Sequence, residues 1–121
     1  MATEQIVMRR GDTPEWDIEV FEVDGVTPFD LSGCTVWLTV KRLITDADPG
    51  VFQLSTTAGT ITVTDAANGQ CTAQPLASQT ASLTTDIQGL FDVQVRTAGS
   101  PGNTYTVLNG QILIQRDITR A

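Results

Sequence analysis

Two short stretches decide how this chain folds: Thr35-Val36-Trp37-Leu38-Thr39-Val40-Lys41 and Phe91-Asp92-Val93-Gln94-Val95-Arg96. In both, apolar and polar residues alternate with a period of two, the repeat that sends successive side chains to opposite faces of a strand. Val36, Leu38 and Val40 share one face, and Thr35, Trp37, Thr39 and Lys41 share the other. Phe91, Val93 and Val95 alternate in the same way with Asp92, Gln94 and Arg96. Each stretch therefore reads as a strand with one face in a core.

Outward from these two stretches the same grammar recurs. Trp16, Ile18 and Val20 alternate with Asp17 and Glu19, which places Trp16 in the core. The alternation then slips to Phe21 and Val23, predicting a β-bulge or a change of sheet at Val20–Glu22. Asp24-Gly25 marks a turn, and Leu31-Ser32-Gly33 leads into the strand that holds Trp37. Asp46-Ala47-Asp48-Pro49-Gly50 reads as a loop. Val51–Ser55 and Thr60–Thr64 are short strands separated by Thr56-Thr57-Ala58-Gly59, and Asn68-Gly69 favours a hairpin turn that returns as Gln70–Gln74. Leu76–Leu83 alone has helical character, for a turn or two.

After the exposed turn Gly99-Ser100-Pro101-Gly102-Asn103, residues Thr104–Ile118 read as a long strand interrupted at Asn109-Gly110. Tyr105 and Val107 point inward before that pair, and Ile112, Ile114 and Ile118 after it. The parity change predicts a bulge at Gly110, with a second tight hairpin as the other reading. The terminal strands Ile6–Arg10 and Ile112–Arg120 read as sheet edges. Short strands with frequent turns predict an all-β fold, a Greek-key β-sandwich of about seven to nine strands in one domain over residues 1–121.

Composition narrows the chemistry. The 121 residues are 40% hydrophobic and 17% charged, with 7 basic against 14 acidic side chains and a net charge of −7. An acidic chain with one lysine, Lys41, is not expected to take nucleic acid or an anionic membrane as its main partner. The chain has no histidine, which removes Ser-His-Asp and Cys-His nucleophile activation and the commonest zinc ligand. Cys34 and Cys71 supply neither a four-thiolate site nor a redox pair and read as free thiols of a reducing cytoplasm. No Gly-rich phosphate loop is present. A non-enzymatic protein without a cofactor is the expectation. The opening residues lack an apolar signal region, and no stretch approaches the roughly 20 apolar residues of a membrane span.

Four segments carry a resemblance. Ile6-Val7-Met8-Arg9-Arg10-Gly11-Asp12-Thr13 resembles the start of the immunoglobulin-like domain of phage baseplate upper and tail fibre-attachment proteins. Asp30-Leu31-Ser32-Gly33-Cys34-Thr35 resembles the approach to that family's third strand, and Gly89-Leu90-Phe91-Asp92-Val93-Gln94-Val95 its penultimate one. Gly110-Gln111-Ile112-Leu113-Ile114-Gln115-Arg116-Asp117-Ile118-Thr119-Arg120 is similar to its closing strand. The pair Leu90-Phe91 departs from the family's lone aromatic, and Leu43–Ala73 offers little to match. The resemblance implies an immunoglobulin-like sandwich in a phage virion, made in the host cytoplasm. It also implies docking in multiple copies onto tail, baseplate, fibre or capsid subunits. The fibre or receptor-binding modules of larger relatives are not expected to carry over.

Several residues invite a chemical role. Arg10-Gly11-Asp12 matches an adhesion tripeptide, but its place between two strands reads as a tight turn. Asp46, Asp48 and Gly50 resemble the start of a calcium loop without its closing glutamate, and read as solvated turn acids. Glu15, Asp17, Glu19 and Glu22 lie along one strand rather than across a cleft, and so read as a charged face. Trp37 is the leading interface candidate, because its parity sends it outward and tryptophan is enriched in binding hot spots, with a strand covered on both faces as the other reading. Leu43, Ile44, Val51 and Phe52 flank the acidic loop as a second apolar patch. Ile6, Met8 and Ile118, on the terminal strands, complete the candidate contact set. The alternative function is a small carbohydrate- or cell-surface-binding module centred on Trp37.

Overall fold

The computed structural model describes residues 2–22, 24–99 and 102–116. Among the described residues there are eight strands: β1 (Ala2–Arg9), β2 (Trp16–Glu19), β3 (Thr35–Lys41), β4 (Phe52–Ser55), β5 (Ile61–Asp65), β6 (Gln70–Ala73), β7 (Ile87–Arg96) and β8 (Thr104–Gln115). They form a five-stranded sheet in the order β1-β8-β7-β3-β4 and a three-stranded sheet in the order β2-β6-β5. The fold is all-β with two sheets and sandwich-like. Among the described residues the one helical element is a 3-10 turn at Ala77–Gln79, as the weak helical character of Leu76–Leu83 predicts.

The alternation read from sequence is the alternation observed. On β7, Ile87, Gly89, Phe91, Val93 and Val95 are buried, while Gln88, Leu90 and Arg96 are exposed and Asp92 and Gln94 half-buried. Val36, Leu38 and Val40 of β3 stand opposite Val95, Val93 and Phe91. They meet Ile18, Ile61, Cys71 and Ala73 of the smaller sheet in one core, closed by Val20 and Leu31 from the β2–β3 connection. Burying these branched side chains is the main source of stability. Trp16 packs half-buried against the rim of that core.

Three expectations are corrected. First, β8 is not an edge. It lies between β7 and β1, and β1 runs parallel to it with Ile6 opposite Ile112 and Met8 opposite Ile114. Second, the bulge falls at Val107, where the β7–β8 pairing steps from Val93–Leu108 to Gln94–Thr106. Gly110 stays in register opposite Phe91 on the inner face. Third, Tyr105 shares the inner face of Val95 but remains 46% exposed. It stands where the sandwich opens, edge-on to Phe29 with ring centroids 5.9 Å apart.

The slip after Val20 marks a change of pairing partner. Val20 N–H donates to the Gly69 carbonyl, and Phe21 then pairs with Pro28 in a small hairpin. Its turn is fastened by Asp24, whose carboxylate accepts from the Thr27 hydroxyl and from the Val26 and Thr27 amides. Those bonds, led by the Thr27 hydroxyl, hold the Asp24 carboxyl below its ordinary pKa.

Both cysteines are free thiols. Burial pushes Cys71 up to about 11 and raises Cys34 as well. The thiolate is the reactive form. In the native protein at pH 8, a thiol-selective disulfide reagent is therefore expected to leave Cys71 unmodified and to label Cys34 more slowly than a free cysteine. Both become reactive in urea. Rapid native labelling of Cys71, read by intact mass, would contradict this burial.

Candidate functional site on the outer face of the large sheet

The inner face of the five-stranded sheet is apolar, and its outer face is built from the complementary residues of the same alternation. Cross-strand neighbours share a face, so the register assembles two rows there. One is Gln53 (β4), Thr39 (β3), Asp92 (β7) and Asn109 (β8). The other is Ser55, Trp37, Gln94 and Thr106. Over these rows lies a groove of about 840 Å³. Lys41, Asp48 and Ile44 line it on the side of the β3–β4 loop, with Arg96 and Thr104 also in its wall. A smaller groove of about 360 Å³, lined by Gln5, Arg42, Gln88 and Gln111, shares Leu90 with the first.

Hydrogen bonds order the rows. Gln53 Nε2 donates to Thr39 Oγ1 at 3.0 Å, and Gln94 Nε2 lies 3.3 Å from Thr106 Oγ1 and 3.5 Å from Asp92 Oδ2. Lys41 Nζ pairs with Asp48 Oδ1 at 2.8 Å across the root of the loop. Burial raises the Asp92 carboxyl above its ordinary value, partly offset by the Lys41 charge.

Because its folded pKa is raised, Asp92 opposes folding once it ionises, and that penalty is absent below the ordinary carboxylate range, where both states are protonated. It grows as pH rises through the ordinary value and is complete above the folded one. Asp92→Asn is thus expected to be more stable than the parent at pH 7, with the difference shrinking towards pH 3. Urea titrations at the two pH values test this, and equal stability at pH 7 would refute it.

The β3–β4 loop makes the rim. Leu43 N–H donates to Asp46 Oδ2 at 3.1 Å, Val51 N–H returns to the Val40 carbonyl at 2.7 Å, and the Asp48–Pro49 peptide is cis. On this braced loop Leu43 and Ile44 stand 63% and 82% exposed side by side. Both loop acids thus have structural partners, and among the described residues no three metal-ligating side chains cluster.

Trp37 and Ile44 both line the groove, Leu43 precedes Ile44 on the loop, and the other sequence candidates lie elsewhere. Phe52 and Met8 are corrections, at 3% and 5% exposure. Phe52 has the inward parity of Leu54, which pairs with Leu38, and Met8 stands over the core opposite Ile114. Ile6 and Val51 are half-buried against the same core. Ile118 lies outside the described residues. The Arg10-Gly11-Asp12 turn is welded to the body, with the Arg10 guanidinium donating to the Leu83 carbonyl and Gly11 N–H to Thr80 Oγ1, each at 2.8 Å. Thr80 is fully buried, so the turn is structural. Asp17 and Glu19 are exposed on β2, an edge strand of the small sheet.

The amide and hydroxyl rows escaped notice in the sequence. Their outward parity was legible, but only the register places Gln53, Asp92 and Asn109 in line. No protein-family model matches the chain, and no curated protein sequence matches it.

Proposed function

We propose that this chain is a non-enzymatic structural component of a bacteriophage virion, an immunoglobulin-like Greek-key sandwich that docks onto neighbouring tail, baseplate, fibre or capsid proteins. The observation that carries the reading is where the four resembling segments lie. The opening segment spans the second half of β1 and the turn after it, the second leads into β3, the third lies in β7 and the fourth begins in β8. These are neighbours in one sheet, in the order β1-β8-β7-β3. The orders β8-β7-β3-β4 and β5-β6-β2 also correspond to those of variable-type immunoglobulin sandwiches. This chain differs in having free cysteines and a β3 tryptophan on the outer face.

Docking has an anchor in Leu43 and Ile44. Two exposed branched side chains on a braced loop offer apolar area at little ordering cost to a partner pocket. Sedimentation of a lysate from the source, with mass spectrometry of the particle fractions, tests the reading. The chain is expected to travel with megadalton particles, whose other proteins distinguish head from tail. Particles that pellet without it would overturn the virion assignment. Leu43→Asp is expected to leave the melting curve unchanged and to lower incorporation at least about tenfold.

A further inference from the structure

We propose that the groove on the outer face of the large sheet binds a neutral oligosaccharide. The groove adjoins the docking residues, with Ile44 in its wall and Leu43 outside it, and the inference does not rest on the virion reading.

Size and place come first. At about 840 Å³ the groove falls within the roughly 300–1,000 Å³ typical of small-molecule sites. Its floor crosses β4, β3, β7 and β8, roughly 14 Å at the spacing of adjacent strands. That length suits several linked rings better than a single one. The smaller groove continues past Leu90, so a longer chain has room to extend.

The lining selects the chemistry. Gln53, Gln94 and Asn109 each carry both donors and acceptors in a plane, and Thr39, Thr104 and Thr106 add hydroxyls. Among them Trp37 lines the floor, half-buried. A ligand matching this surface needs many hydroxyls around a ring that also has an apolar face, which is the description of a pyranose. The charged residues of the wall are two bases, Lys41 and Arg96, and two acids, Asp48 and Asp92. They leave no net charge to recruit an anionic or cationic ligand. Nucleic acid is disfavoured by the overall charge of −7. An extended peptide would bind by strand addition at a sheet edge, whereas this groove lies on a sheet face. On the outermost strand, β4, the Gln53 carbonyl is already approached by Gln79 Nε2 at 3.4 Å.

The test is a titration of the isotope-labelled chain, followed by amide and indole NMR. The probes are cellohexaose, maltohexaose, laminarihexaose and N-acetylchitohexaose, with hexagalacturonate as a charged comparison. Concentrations run to about 10 mM, which captures millimolar affinities. At least one neutral probe is expected to shift the Trp37 indole N–H and the side-chain amides of Gln53, Gln94 and Asn109. Trp37→Ala and Gln94→Ala are each expected to weaken that binding at least about fivefold, while Val26→Ser, at an exposed turn outside the groove, leaves it unchanged. The inference is overturned if no neutral probe binds. It also fails if binding survives both groove substitutions, or if hexagalacturonate binds more tightly than every neutral probe. None of these results bears on particle association, and Leu43→Asp, at a residue outside the groove lining, tests that separately.

Discussion

Replacing Gly69 with alanine is expected to destabilise the protein by about 3 kcal/mol or more, because strain and steric conflict act together at this position. Gly69 closes the β5–β6 turn at φ +67°, in the left-handed region that side chains other than glycine rarely adopt. A Cβ there would stand 2.4 Å from the Val20 carbonyl oxygen and 2.7 Å from that of Phe29. Both contacts are with backbone, which has little room to give. The same point is a junction of hydrogen bonds. Val20 N–H donates to the Gly69 carbonyl, Phe29 N–H to Val20, and Gly69 and Leu31 N–H to Ala66. Moving the turn outward would therefore loosen the end of β2, the hairpin at Phe21–Pro28 and the anchor of Leu31 together. Urea unfolding followed by circular dichroism measures the loss, and a loss under about 1 kcal/mol would show that the junction yields.

Leu38→Ala is expected to cost about 2–5 kcal/mol, the range for deleting a buried leucine that leaves a cavity. Leu38 is fully enclosed on the inner face of the large sheet, between Val93 on β7 and Leu54 on β4. Its two cross-strand neighbours are themselves fully buried, so collapse around the vacancy is restricted. The melting temperature should fall by about 10 °C or more. Trp37, the next residue, belongs to the other face, and Trp37→Ala is expected to cost clearly less despite removing a larger side chain. A ranking of the two in the opposite order would mean that the outer face carries the core's role.

Most of the strand plan was legible because period-two alternation is a local property. β2, β3 and β7 needed only neighbouring residues to be read, and the Asn68-Gly69 turn needed only its own backbone preference. The errors arose where a partner strand decides the answer. Glycine commonly marks a bulge, which points to Gly110, yet the β7 register absorbs the extra residue at Val107. A terminal strand reads as an edge, yet β1 pairs along β8 in parallel. Phe52 and Met8 neighbour a loop and a terminus, which suggests a contact surface, and parity within their sheet turns them inward.

The candidate site divides along the same line. Trp37, Leu43 and Ile44 could be picked out from the sequence, as an aromatic with outward parity and as apolar residues beside a loop. The groove could not, because its floor is two rows drawn from β3, β4, β7 and β8, far apart in the chain. The sequence by itself determined the all-β character, the sidedness of each long strand, and the absence of histidine-based chemistry. Alternation, turn preference and composition act within a few residues and need no partner. Only the tertiary structure decided strand order, register and edge. These depend on which hydrogen-bonding ladders close when two apolar faces meet, and that choice is made by residues distant in sequence.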